Sequence, residues 1–175
     1  MKYIIINIHK WGDDVVNIEK LLSASRDNHY KLLTLVGDEE SKKKNIISYL
    51  KDEGWKIYDV ERVVLDLIED IPENKISKRI GKKLKEWVKE QGKKIVLYNT
   101  SILYSPELQL RGPVEAFRYP MRGNRKGVIF INGRLRDNKA IYSTPDKDDY
   151  TPVDLSKVIF CRLTEVELGG VNNEN

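Results

Sequence analysis

Apolar positions along the chain fall into two alternating rhythms. Uninterrupted runs, LLTLV at 32–36, KIVLY at 94–98, GVIFI at 127–131 and VIFC at 158–161, have the length and composition of strands buried on both faces. Central strands of a parallel sheet are in that situation. Between the runs the period changes to that of a helix. After Gly12, Val15, Ile18, Leu21 and Leu22 form one stripe, with Asp13 and Asp14 near the helix start. Ile46, Ile47 and Leu50 form a second, ended by Gly54, and residues 61–71 form a third before Pro72. Ile76, Ile80, Leu84 and Trp87 share a face over 76–90, and Gly92 closes that helix. WKIYDV reads as a further strand, VEAFRY as a short helix, RGNRKG as a turn, and KAIYST as the hairpin partner of the GVIFING strand. YIIINI at 3–8 fits a strand or the start of a buried segment, and VNNEN a polar tail. The order predicts one α/β domain over 1–168, a layered fold with a mostly parallel sheet flanked by helices, and a tail at 169–175. Ligands of such folds bind at the C-terminal ends of the strands.

Composition narrows the chemistry. With 175 residues, 40% hydrophobic and 33% charged, the chain suits a single core with a well solvated surface. The N-terminal apolar run is too short for a membrane span and has no small-residue cleavage site, so a cytoplasmic location without membrane contact is expected. Cys161 is the only cysteine and reads as a buried strand residue; His9 and His29 have no partners at zinc or triad spacing. The net charge of +4 permits nucleic-acid contact, but 27 acidic residues make it weak evidence. The lysines of 78–85 are those of a solvated helix face.

One stretch raises a specific chemistry. In LVGDEESKKKN a strand runs into a glycine, a polar loop and a helix, as in the phosphate loop G-x-x-x-x-G-K-[ST], whose backbone N–H groups curl around phosphates. Gly37 and Lys43 fit that frame. Lys42 replaces the second glycine, Lys44 replaces the hydroxyl that holds magnesium, and Asp38, Glu39 and Glu40 set carboxylates where phosphates belong. The strand that should end in a magnesium-anchoring carboxylate ends in Tyr98, followed by Asn99, Thr100 and Ser101. Both halves of a magnesium-nucleotide site are damaged. The expectation is no catalytic residue, no metal and no required cofactor, with ATP and magnesium disfavoured.

The order of these motifs resembles the BrxF family, small P-loop-containing proteins of type 3 BREX bacteriophage-exclusion systems. YKLLTLVG is similar to the strand and first glycine of its nucleotide loop, KIYDVERVVLDLI to the second strand and helix, and IVLYNTSILYSPEL to its Walker B segment. NRKGVIFINGRLRDNKAIYSTPDKDDY resembles its sensor-like strand and the hairpin after it. The resemblance implies a P-loop NTPase-like fold and a degenerate member. Gly37, Lys43 and Lys44 would supply residual phosphate contacts, Asn99 would stand beside the lost Walker B position, and Arg125 would be a phosphate or partner contact. Its implied role is that of a non-hydrolysing accessory subunit, with the large ATPase, methyltransferase and phosphatase-like component of such a system as partners.

Three other readings compete. Arg111, Arg118, Arg122, Arg125, Lys126, Arg134 and Arg136, interleaved with Phe117 and Tyr119, have the residue types of a DNA- or RNA-binding module. The bland alternative puts Phe117 in the core and pairs the arginines with nearby acids. Asp59, Glu61 and Asp66 near a strand-to-helix junction suggest a nuclease metal site, but suit an acidic helix start equally well. Weak ATPase activity at the Gly37 loop is the remaining option.

Overall fold

The computed structural model describes residues 15–148 and 150–169. YIIINI, His9, Asp13 and Asp14 lie outside them, as does most of the polar tail. The described chain begins with β1 (Val16–Asn17) and α1 (Ile18–Asp27), and β1 pairs in parallel with β10 (Val166–Glu167). The first helix therefore starts later than its apolar stripe predicts. Asn17 adopts extended backbone and its Oδ1 accepts the Glu19 N–H at 2.8 Å, so the side-chain cap fixes the start. Val15, left outside the helix, is exposed.

Next come β2 (Leu32–Val36), α2 (Glu40–Asp52), β3 (Lys56–Asp59), α3 (Val60–Ile68), α4 (Ile76–Glu90), β4 (Lys94–Tyr98), α5 (Pro113–Arg118) and β5 (Lys126–Ile131). A small sheet of β6 (Arg134–Arg136), β7 (Lys139–Tyr142) and β8 (Thr151–Asp154) precedes β9 (Phe160–Arg162). The main sheet has the order β3-β4-β5-β2-β9, with every pair parallel. The expected mostly parallel sheet flanked by helices is present.

Strand alternation sorts the core into two layers. Leu32, Val36, Ile95, Leu97, Ile129 and Ile131 face the layer holding Val64 of α3, Ile80 and Leu84 of α4, and Phe117 of α5. Leu33, Leu35, Val96, Val128 and Phe130 face the layer holding Ile18 and Leu21 of α1 and Ile46 and Leu50 of α2. Right-handed crossovers require this division: the chain steps from β2 to the far edge in one direction and returns through β4 and β5 in the other.

Two predicted details change. KAIYST does not pair with the GVIFING strand; β7 is antiparallel to β6 on one side and β8 on the other. The GVIFING strand keeps both edges for β2 and β4, where its apolar residues are buried on both faces. Gly92 does not cap α4 either. Gln91 follows the helix in extended conformation, and the Arg125 guanidinium donates to the carbonyls of Val88 (2.9 Å), Lys89 (2.7 Å) and Gln91 (3.2 Å). A cation there meets the negative end of the helix dipole. Arg125→Ala should cost about 1–3 kcal/mol in chemical denaturation by leaving these carbonyls without their donor.

Candidate functional site

The chain leaves β2 toward one face of the sheet and β4 toward the other, so a crevice opens at their C-terminal ends beside β5. Gly37 follows β2 there and Asn132 follows β5, since Val36 and Ile131 are register partners. Gly37 N–H donates to the Ile131 carbonyl at 3.0 Å, and the Asp38 carboxylate accepts the Gly133 N–H at 2.9 Å. The two loops are thus tied together by the backbone of one and the side chain of the other. A cavity of about 420 Å³ opens beside them, lined by Asp38, Asn132, Arg134, Tyr142, Ser143 and Thr144 among others. Tyr142 is stacked on the buried Tyr104 at 4.3 Å, which fixes that wall, and burial pushes the Tyr104 phenol up.

The loop itself is short. Only residues 37–39 separate β2 from α2, and the Lys43 N–H already donates to the Glu39 carbonyl at 3.0 Å. The segment that would curl around phosphates is instead the first turn of the helix. Gly37 has a packing reason to be glycine: a Cβ would lie 2.8 Å from the Leu163 Cβ. Asp38, Glu39 and Glu40 stand at the positive end of α2, which favours them without any ligand.

Lys43 is buried, and its Nζ lies 3.0 Å from Glu40 Oε1 and 3.1 Å from Asn132 Oδ1. Glu40 occupies the place of an anionic partner and Asn132 completes the pair. Lys42 Nζ donates to the Thr164 carbonyl at 2.7 Å, bracing α2 against the turn after β9, while Lys44 is exposed. Sequence reasoning missed Asn132 as a site residue, although an Asn-Gly pair closing an entirely apolar strand was the available signal.

Asn99 is not joined to this group. It follows β4 with φ 55, and its Nδ2 donates to Asp59 Oδ1 and Glu61 Oε2, each at 3.0 Å. Asp59 also accepts the Arg62 N–H at the start of α3. The Asn99 amide is thus held by the two acids at the β3–α3 junction, not by the Lys43 group. Thr100 fastens the same exit, its hydroxyl donating to the Phe130 carbonyl at 2.7 Å. Asp59 and Glu61 come together through Asn99, but no group of three metal-ligating side chains occurs among the described residues. A hydroxyl at position 44, a carboxylate at position 98 and an open loop are the requirements for a magnesium nucleotide, and the residues present fit none of them.

The basic segment divides. Phe117 is fully buried and Arg118 pairs with Glu115 at 2.8 Å while lying over Tyr30. Arg125 caps α4, and Lys126 opens β5, both at the end of the sheet opposite Gly37. Arg134 and Arg136 belong to β6, beyond the other end, and Arg111 precedes Gly112, whose Cβ would meet Val153 of β8 at 2.8 Å. What remains of the proposed stacking surface is Tyr119, half-exposed, with the Arg122 guanidinium 4.1 Å from its ring centroid and Lys85 at 5.6 Å. Among the described residues no helix is long and apolar enough to cross a membrane. No family model matches the chain, nor does any curated protein or solved structure.

Proposed function

We propose that this is a P-loop-like domain that has exchanged nucleotide hydrolysis for an internally satisfied site, and that it acts through contacts with other proteins as a BREX-type defence subunit. The observation that carries the reading is the Lys43 ammonium, buried and held by Glu40 and Asn132 at the crevice where a nucleotide would sit. The topology supports the P-loop kinship by analogy: the Gly37 loop stands at the C-terminal end of β2, an inner strand of a parallel sheet, as that reading expects. β5 lies between β2 and β4, and Asn132, immediately after it, contacts the lysine. Fold kinship alone does not bring activity with it. The defence role rests on the sequence resemblance.

The test is a titration of the full chain with ATP and magnesium, following heat and phosphate release together. Expected is phosphate release indistinguishable from a protein-free blank, with Lys43→Met altering stability and leaving that blank-level rate unchanged. Release that depends on Lys43 would overturn the reading.

A further inference from the structure

The end of the sheet opposite Gly37 gathers cations that have no ion-pair partner among the described residues. Lys94 and Lys126, the first residues of β4 and β5, are direct register partners. Like charges placed opposite one another on neighbouring strands are destabilising. Arg26, in the last turn of α1, adds a third cation, and together they line a pocket of about 140 Å³ floored by the buried Trp55. Among the described residues none of the three forms an ion pair. Lys94 spends one hydrogen on the Glu53 carbonyl at 3.4 Å and stands 6.0 Å from the Trp55 ring centroid.

Two carboxylates, Glu19 and Glu53, also line the pocket, but they gather about Tyr49. The Tyr49 hydroxyl donates to Glu19, and the phenol is pushed up to about 12, first by that bond, then by burial and by the charges of Glu19 and Glu53. The Lys126 ammonium is instead disfavoured, first by burial and then by Arg26, Lys94 and Lys31. A separate feature points the same way: Ser25, 4% exposed, lines the pocket with a buried hydroxyl that has no hydrogen-bond partner. Buried hydroxyls are normally satisfied, and an orphan beside three unpaired cations lacks an acceptor.

We propose that this pocket binds the phosphate group of a small molecule, either inorganic phosphate or a small phosphomonoester, between Arg26, Lys94 and Lys126, with the Ser25 hydroxyl donating to it. A phosphate matches the site in charge and in its capacity for several charge-assisted hydrogen bonds.

The experiment is a set of thermal melts of the full chain in chloride, inorganic phosphate and ribose 5-phosphate at matched ionic strength. Phosphate should raise Tm saturably beyond chloride. Lys126→Gln and Lys94→Gln should each weaken the fitted affinity about tenfold, the scale of one charge-assisted bond. Lys126→Gln should not lower the ligand-free Tm, because it relieves repulsion. Ser25→Ala should weaken affinity by a smaller factor and serves if a lysine variant folds poorly. Tighter binding of ribose 5-phosphate identifies a phosphomonoester, and equal binding identifies free phosphate. No effect beyond chloride, or an undiminished effect in the Lys94→Gln/Lys126→Gln double variant, overturns the proposal.

Discussion

Gly133→Ala is expected to cost about 3 kcal/mol and to lower Tm by roughly 6–12 °C in this chain. Gly133 has φ +111, a conformation side-chain-bearing residues avoid, and a Cβ there would lie 2.2 Å from the Ile141 carbonyl oxygen. That oxygen is backbone within β7, so relief requires the strand to move. Gly123→Ala separates the two contributions, because Gly123 has φ +67 but nothing within 4 Å of its Cβ position. It should show only the conformational penalty, about 1 kcal/mol. The damage from Gly133→Ala should extend to the crevice, since the Gly133 N–H is the group Asp38 holds and Asn132, its neighbour, holds Lys43. Amide exchange should then accelerate at Gly37 and Asn132 as well as across β6 and β7. If the two glycine variants lose the same stability, the close approach to Ile141 contributes nothing.

Much of this fold was legible because the main strands lie between two helical layers. LLTLV, KIVLY and GVIFI are apolar on both faces because both faces are covered, and such runs are hard to mistake. The 76–90 helix came out with its bounds intact, its face now extended to Val88. The small strands were illegible for the opposite reason. RLR of β6 has only partial burial, and TPVD of β8 carries a proline that argues against a strand; β1 and β10 are two residues each. At the crevice the departures from a phosphate loop could be read directly, but their consequence could not. That Glu40 pairs with Lys43, and that Asn99 faces Asp59 and Glu61, depends on where α2 begins and on the left-handed backbone at Asn99. Residue types alone carry neither fact.

Cys161 sets an alkaline limit on stability. It is fully buried in β9 between hydrophobic neighbours of the α1 and α2 layer, as its sequence setting predicts. Burial first, and then the Glu165 carboxylate 3.8 Å from its sulfur, push its thiol from 9.0 up to about 12. A raised folded-state value means that the unfolded chain loses its proton first. The stability associated with the neutral thiol is complete below about pH 9 and declines as pH climbs toward 12, by at most about 1.4 kcal/mol per pH unit. Tyr104, raised by burial, adds a decline of the same sign above pH 10. Lys126 has the opposite sign, because its depressed folded-state value lets the folded chain shed the proton first as pH rises. Urea unfolding at pH 8, 9, 10 and 11 should therefore show the wild-type midpoint falling with pH, while Cys161→Ala, less stable at pH 8, falls less steeply between 9 and 10. Parallel curves for the two proteins would mean that the thiol ionises as readily folded as unfolded, and Cys161 would then react with a thiol reagent at pH 9 without urea.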